Sequence, residues 1–356
     1  MMFVYYFLAA ILIFLSYKSF RGGIDYLNYF KCELAKPKSD YTPFCSIIAP
    51  CRGLDEGLEA NLSALFEQDF PQFEILFVVD DVQDKAVSVI KNLVNRRGAD
   101  MQRNENREKL FLKNSAYLPL CGEKDIFAKL VVAGKAKDES QKVHNLRQAI
   151  LDVSDNSKVF VFVDSDARPG ESWLRNLVAP LQDENIGCAT GYRWFITKEG
   201  GFFSQMRSCW NASIASALGA NIKNNFCWGG SMAIRRDVFE KLDMRQRWKG
   251  TLSDDFTVTR AMREANLPIY FVPNCLTATV EDCTFDELLE FTTRQMKITR
   301  VYAPHLWIAS FLGSFLFNIV FVWGILIIAF YSTDIFAFWF AAASLSLVSA
   351  FSIGKA

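Results

Sequence analysis

Apolar residues are concentrated at the two ends of the chain, and between them they recur as short runs separated by amphipathic stretches. Residues 1–17 form an apolar run just long enough to cross a bilayer. Residues 306–331 form a longer one whose only strongly polar interior residue is Asn318, and after the turn-like Ser332-Thr333-Asp334 a third covers residues 335–353. The first run lacks the basic leader and small-residue cleavage site of a secretory signal, which predicts an uncleaved anchor. In the middle, residues 45–49, 73–79, 128–132 and 159–163 are rich in Ile, Val and Phe and read as buried strands, while 58–67, 85–96 and 140–153 read as helices. That alternation predicts an α/β domain with a mostly parallel sheet covered by helices. Residues 100–113, charged and rich in Asn and Arg, read as a surface excursion. The resulting organisation is an anchor at 1–22, the α/β domain at 41–285, an amphipathic interfacial helix at 286–304 and a membrane hairpin at 305–356.

Charge orients this arrangement. Lys18, Arg21, Lys31, Lys36 and Lys38 follow the first apolar run, and Arg294, Lys297 and Arg300 precede the second. The positive-inside rule therefore predicts an integral membrane protein whose central domain faces the cytoplasm, with Lys355 on the same side. The 39 basic and 39 acidic residues leave no formal net charge, which argues against nucleic acid as a partner. Nine cysteines are scattered without a C-x-x-C pair, the pattern of reduced thiols and not of a disulfide frame or zinc site. His144 and His305 are the only histidines of 356 residues, so carboxylates must carry most acid–base work.

The chemistry centres on residues 159–170, VFVFVDSDARPG. Strand side chains alternate faces, so Asp164 and Asp166 point the same way at the carboxyl end of a buried strand, where open α/β sheets bind ligands. Two such carboxylates repel unless a cation lies between them, and Mg2+ or Mn2+ shared with a substrate diphosphate suits that geometry. The plain alternative is a solvated strand-to-turn exit. Other strand ends offer polar groups to the same crevice: Arg52 in Pro50-Cys51-Arg52-Gly53, and Asp80-Asp81. Gly229 and Gly230 offer backbone that a ligand can approach closely, or only a turn. Asp254 and Asp255 precede a helical pattern, where they can cap a helix or supply a general base. Residues 288–302 form an amphipathic helix carrying Arg294, Lys297 and Arg300, for which headgroup anchoring by snorkelling cations is the simpler reading.

Taken in order, APCRGLDEGLEANLSALFEQDFPQFEILFVVDD, FVDSDARPG, WGGSMAIRRDVF, LSDDF and RQMKITR resemble the family-2 type inverting glycosyltransferases of GT-A fold, most closely the ceramide glucosyltransferase group and its bacterial relatives that act on membrane lipids. The resemblance covers residues 43–302. It implies a nucleotide-binding aspartate at Asp80 or Asp84, a sugar-nucleotide aspartate at Asp164 and a metal-binding D-x-D completed by Asp166. It implies a catalytic base at Asp255, with Asp254 standing where the family often has Glu. The (Q/R)xxRW motif falls on Arg294-Gln295-Met296-Lys297-Ile298, where Lys297 and Ile298 depart from it. Lys keeps a charge for a leaving diphosphate but not the bidentate fork of Arg.

The implied reaction is a single in-line displacement. A UDP-sugar binds through Mg2+ or Mn2+ on Asp164 and Asp166, Arg294 and Lys297 offset charge on the departing UDP, and Asp255 deprotonates a lipid hydroxyl. Lys142 and Asn145 are candidate nucleotide contacts, with a solvated helix face as the alternative. Three other readings compete. A processive polysaccharide synthase shares the core but needs a channel. A dehalogenase-type phosphatase also uses D-x-D, but has Thr or Val where this chain has Arg168. A non-catalytic membrane module could bind sugar nucleotide or lipid.

Overall fold

The computed structural model describes residues 2–55, 57–102, 118–120, 125–330 and 334–355. Most of the expected excursion at 100–113 lies outside the described residues. The chain divides into two units, Cys32–Thr284 and the combination of Met1–Lys31 with Phe285–Ala356.

The larger unit alternates strands and helices. Its elements are β1 (Cys45–Pro50), α2 (Leu58–Phe66), β2 (Gln72–Val79), α3 (Ala86–Gln102), β3 (Leu118–Leu120), β4 (Asp125–Val132), α4 (Gln141–Ala149), β5 (Val159–Val163), α5 (Trp173–Val178), β6 (Cys188–Ile196), α6 (Phe202–Ala215), β7 (Ser231–Arg235), α7 (Arg236–Lys241), α8 (Met244–Arg247), α9 (Asp254–Glu264) and β8 (Ile269–Val280). The strands form one sheet in the order β3-β4-β2-β1-β5-β7-β6-β8. Only β3 and β7 run against the others, so the α/β, mostly parallel architecture expected from the alternating pattern is the one present.

Central strands of such a sheet are covered on both faces, which is why they read as continuous apolar runs. Ile47, Ile75, Phe77 and Val161 pack on one side with Leu62 of α2, Ile90 of α3 and Leu174 of α5. Ile48, Leu76, Val78, Phe160 and Phe162 pack on the other with Leu146 of α4, Phe239 of α7, Met244 of α8 and Val258 of α9. Register keeps the carboxyl ends level: Pro50 lies opposite Val78, and Val79 opposite Val132. The segments after β1, β2, β4 and β5 therefore leave the sheet at one edge.

The smaller unit holds most of α1 (Met2–Leu34) together with α10 (Phe285–Tyr302), α11 (Pro304–Phe330) and α12 (Ile335–Lys355). The helices α1, α11 and α12 are each long and apolar enough to cross a membrane. The first continues well past residue 17, through Gly22-Gly23, and stops short of Pro37, whose ring disfavours helical backbone at the residue before it. Small side chains let these helices approach closely. Ala9, Val320, Ala337 and Ala341 are buried together, and a Cβ on Gly324 would lie 2.8 Å from the Tyr5 hydroxyl oxygen.

Candidate active site

Asp164 and Asp166 follow β5 as its alternation requires, and both carboxylates meet one guanidinium. Arg193 Nη2 lies 3.0 Å from Asp166 Oδ2 and 3.5 Å from Asp164 Oδ2. The turn between them is braced from α2 and the loop before it. Asn61 donates to the Ser165 carbonyl at 3.1 Å, and the Ser165 hydroxyl donates to Asp55 at 2.8 Å. Arg168 donates to Asn61 Oδ1 at 3.0 Å, so it supports this turn from outside.

Lys142 is the second cation. Of the two α4 candidates Asn145 is buried, away from the solvated face that was the alternative for it, while the Lys142 side chain is 32% exposed. Lys142 Nζ lies 2.7 Å from Asp164 Oδ1 and 3.2 Å from Asp254 Oδ1, joining the D-x-D to the acidic pair. Burial opposes its charge, but Asp164, Asp254 and Asp255 outweigh that and hold its pKa above the ordinary lysine value. Asn145 accepts from Gln141 at 2.8 Å and stays inside the α4 core.

The acidic pair occupies the first turn of α9, which begins at Asp254 with Ser253 as its cap; the Ser253 hydroxyl accepts from Phe256 N–H at 3.3 Å. Asp255 Oδ1 accepts from Phe256 N–H at 2.7 Å and from the Ser253 hydroxyl. Its Oδ2 has one long contact, 3.5 Å from Gly229 N. Asp254 is buried, and its Oδ2 has no hydrogen-bond partner. Burial pushes its carboxyl up to about 6, with Lys142 opposing and Asp255 and Asp164 reinforcing the shift.

Gly229 and Gly230 are required by this crowding. A Cβ on Gly229 would stand 2.0 Å from Asp254 Oδ2, and one on Gly230 would stand 2.2 Å from the Trp228 ring and 2.7 Å from Asp164 Oδ2. No side chain fits there without moving the carboxylates.

At the neighbouring strand ends the two candidate aspartates differ. Asp84 is occupied by backbone, accepting from Gly53 N–H at 2.9 Å and Ala86 N–H at 2.8 Å. Asp80 is buried and pairs at 2.7 Å with Lys135, a residue just past β4 that the motifs did not mark. Arg52 is exposed at the end of β1. Arg294 and Lys297 belong to the other unit, exposed on α10, where Lys297 lines a cleft of about 270 Å3 with Arg300 and Trp307.

Arg193 was invisible to sequence reasoning because it sits in mid-strand within GYRWF, away from any strand end. It and Lys142 face four carboxylates, Asp164, Asp166, Asp254 and Asp255, so the site keeps an excess of negative charge. Burial raises the Asp166 carboxyl despite Arg193, with Asp164, Asp55 and Glu281 adding to it. Among the described residues no three His, Cys, Asp or Glu side chains converge on one metal-sized point. A hard divalent ion commonly takes only one or two carboxylates, with phosphate oxygens and waters completing its shell.

Residues 6–102 and 124–355 match the family described as Glycosyl transferase family 21. The chain belongs to that family. Among known relatives of this family 21 chain, a ceramide glucosyltransferase of Komagataella phaffii is 26% identical over 78 residues, which is 22% of the chain and 15% of that protein. The matched stretch thus spans well under two thirds of that relative. A mannosyltransferase from Pyrobaculum calidifontis, solved with GDP-Man and Mn2+, is 17% identical and aligns over 96% of this chain and 87% of its own, with a TM-score of 0.46. Glucosyl-3-phosphoglycerate synthase from Mycobacterium tuberculosis, solved with Mn2+ and UDP-glucose, is 14% identical over 73% of this chain and 79% of its own, at a TM-score of 0.42. Family membership favours sugar transfer over the phosphatase alternative.

Proposed function

We propose that this chain transfers a hexose, most simply glucose, from a UDP-sugar to the hydroxyl of a ceramide-like membrane lipid, with inversion at the anomeric carbon. One observation carries the reading. Lys142 ties the D-x-D aspartate Asp164 to the acidic pair at the start of α9, so donor-binding and base candidates share one site in a family 21 chain.

Asp164 and Asp166 would hold a divalent ion, Mg2+ or Mn2+, which when bound offsets charge on the donor diphosphate. Asp80 and Lys135 form the nucleoside end of the crevice, with Arg52 beside them and Asp84 holding the loop. Gly229 and Gly230 give the sugar close access to backbone. Asp255 Oδ1 is engaged by Phe256 N–H and Ser253, which fixes the carboxylate and leaves Oδ2 to take the proton from the attacking hydroxyl. Asp254 holds Lys142 and does not itself touch the acceptor. By the resemblance alone, Arg294 and Lys297 of α10 are the candidates to offset charge on the leaving UDP. The three apolar helices bring the acceptor lipid and the enzyme into one membrane, with the α/β unit on the cytoplasmic side.

The test is transfer from a panel of radiolabelled UDP-hexoses into extracted membrane lipid, with and without EDTA, followed by anomer assignment of the product. The expected result is a β-linked glycolipid whose formation EDTA suppresses. A product of retained configuration, or label confined to soluble or polymeric material, overturns the proposal.

A further inference from the structure

The mechanism above makes no use of Arg193, yet this residue is the most elaborately held charge in the site. It stands on β6 beside a break in register. From Thr190 to Tyr192 on β6, the partner strand β8 advances from Phe271 to Leu276. Such irregularities re-aim side chains next to functional sites. Gly191 allows the break, since a Cβ there would lie 2.0 Å from the Cys275 carbonyl oxygen. Asn211 of α6 then fixes the strand by donating to the Arg193 carbonyl at 2.8 Å.

The guanidinium lies against two rings, 5.3 Å from the centroid of Trp228 and 5.4 Å from that of Phe195. Its side chain is only 14% exposed. Nη2 serves both D-x-D carboxylates, while Nε is buried with no hydrogen-bond partner. A guanidinium lying over two rings and held at the D-x-D carboxylates offers a planar fork of the kind that pairs with phosphate oxygens. Its partners Asp164 and Asp166 are the groups proposed to receive the donor with its metal ion.

We propose that Arg193 is a resident cation of the D-x-D site that binds the diphosphate of the nucleoside diphosphate donor and, when no nucleotide is bound, competes with the divalent ion for Asp164 and Asp166. The nucleotide half rests on the UDP-sugar reading; the competition half does not. Arg193 thus has opposite effects on the two ligands. It strengthens nucleotide binding and weakens binding of the bare metal.

The full chain in detergent, as wild type, Arg193→Gln and Arg193→Lys, is titrated with UDP by calorimetry in Mn2+ and in EDTA. It is also titrated with Mn2+ alone, followed by the electron paramagnetic resonance of the free ion. The wild type is expected to keep measurable UDP binding in EDTA, and Arg193→Gln to lose roughly 10- to 100-fold of it, as removal of a charge-assisted hydrogen bond implies. Mn2+ alone should bind Arg193→Gln several-fold more tightly than wild type, a change that a purely structural role would not produce. Arg193→Lys should fall between the two in both titrations, and it decides the question if Arg193→Gln does not fold. Equal UDP binding in EDTA, together with unchanged or weaker Mn2+ binding in the variants, overturns the proposal. If the wild type binds no UDP even with Mn2+, the donor reading and the nucleotide half fail together, while the Mn2+ titration still decides the competition half.

Discussion

Asp254 sets the residue scale, because its buried carboxyl sits between Lys142 and two other acids. Its folded pKa of about 6 lies above the unfolded value of about 3.9. The folded state therefore binds this proton more tightly, so the contribution to stability is complete below pH 4 and is lost as pH rises through 6. At neutral pH the cost is on the order of 2–3 kcal/mol. Protonation also releases Lys142 from one of its partners. Moving from pH 7.5 to 5.5 should lower kcat/KM while raising the Asp254 contribution to stability, and Asp254→Asn should remove both responses, as read by pH–rate profiles and thermal unfolding. Gly229→Ala places a methyl 2.0 Å from that carboxylate. It should cost about 1–3 kcal/mol in thermal unfolding and most of the activity. A variant as stable and active as wild type would contradict the packing described.

Asp164, Asp166, Asp254 and Asp255 were legible in the sequence because each follows a strand or opens a helix, where period and punctuation fix direction. Lys142 was legible as a candidate, but its pairing with Asp164 and Asp254 was not, since those partners lie on segments far away in sequence. Arg193 was not legible, because what matters is the neighbouring Trp228 and the register break with β8, both long-range.

At the scale of elements, β1, β2, β4 and β5 announce themselves as apolar runs because helices cover both faces. The segments β6 and β8 do not. Gly191 and Pro273 interrupt patterns that the pairing of these two strands restores, and Pro is tolerated at an irregularity. Within the central sheet a buried ion pair interrupts the apolar surface: Lys129 of β4 and Glu74 of β2 lie 3.5 Å apart, each side chain only 3% exposed. Glu74 also accepts from Ser46 at 2.6 Å and from Ser154 N–H at 2.7 Å. Glu74→Ala leaves a buried ammonium without its counter-ion, and the expected loss is about 3–5 kcal/mol in thermal unfolding. A loss below 1 kcal/mol would mean that Lys129 reaches water and the pair is not structural.

At the scale of the molecule, the three apolar helices and their flanking Lys and Arg carry the proposed topology. Cys209 is exposed on α6 of the α/β unit, which gives that topology a direct readout. A membrane-impermeant maleimide should label Cys209 only after the cell membrane is opened, and labelling in intact cells would reverse the orientation. The proposed lipid glycosylation rests on the family 21 assignment and on the site that Asp164, Lys142 and Asp255 share. The most direct test is transfer of radiolabel from UDP-glucose into extracted lipid by membranes containing the wild-type chain or Asp255→Asn at matched protein levels. The expected result is a labelled glycolipid with the wild type and a loss of roughly 100-fold or more in the variant, the scale of a missing general base. A variant as active as wild type, or a wild type that labels no lipid, would contradict the proposed glycosylation.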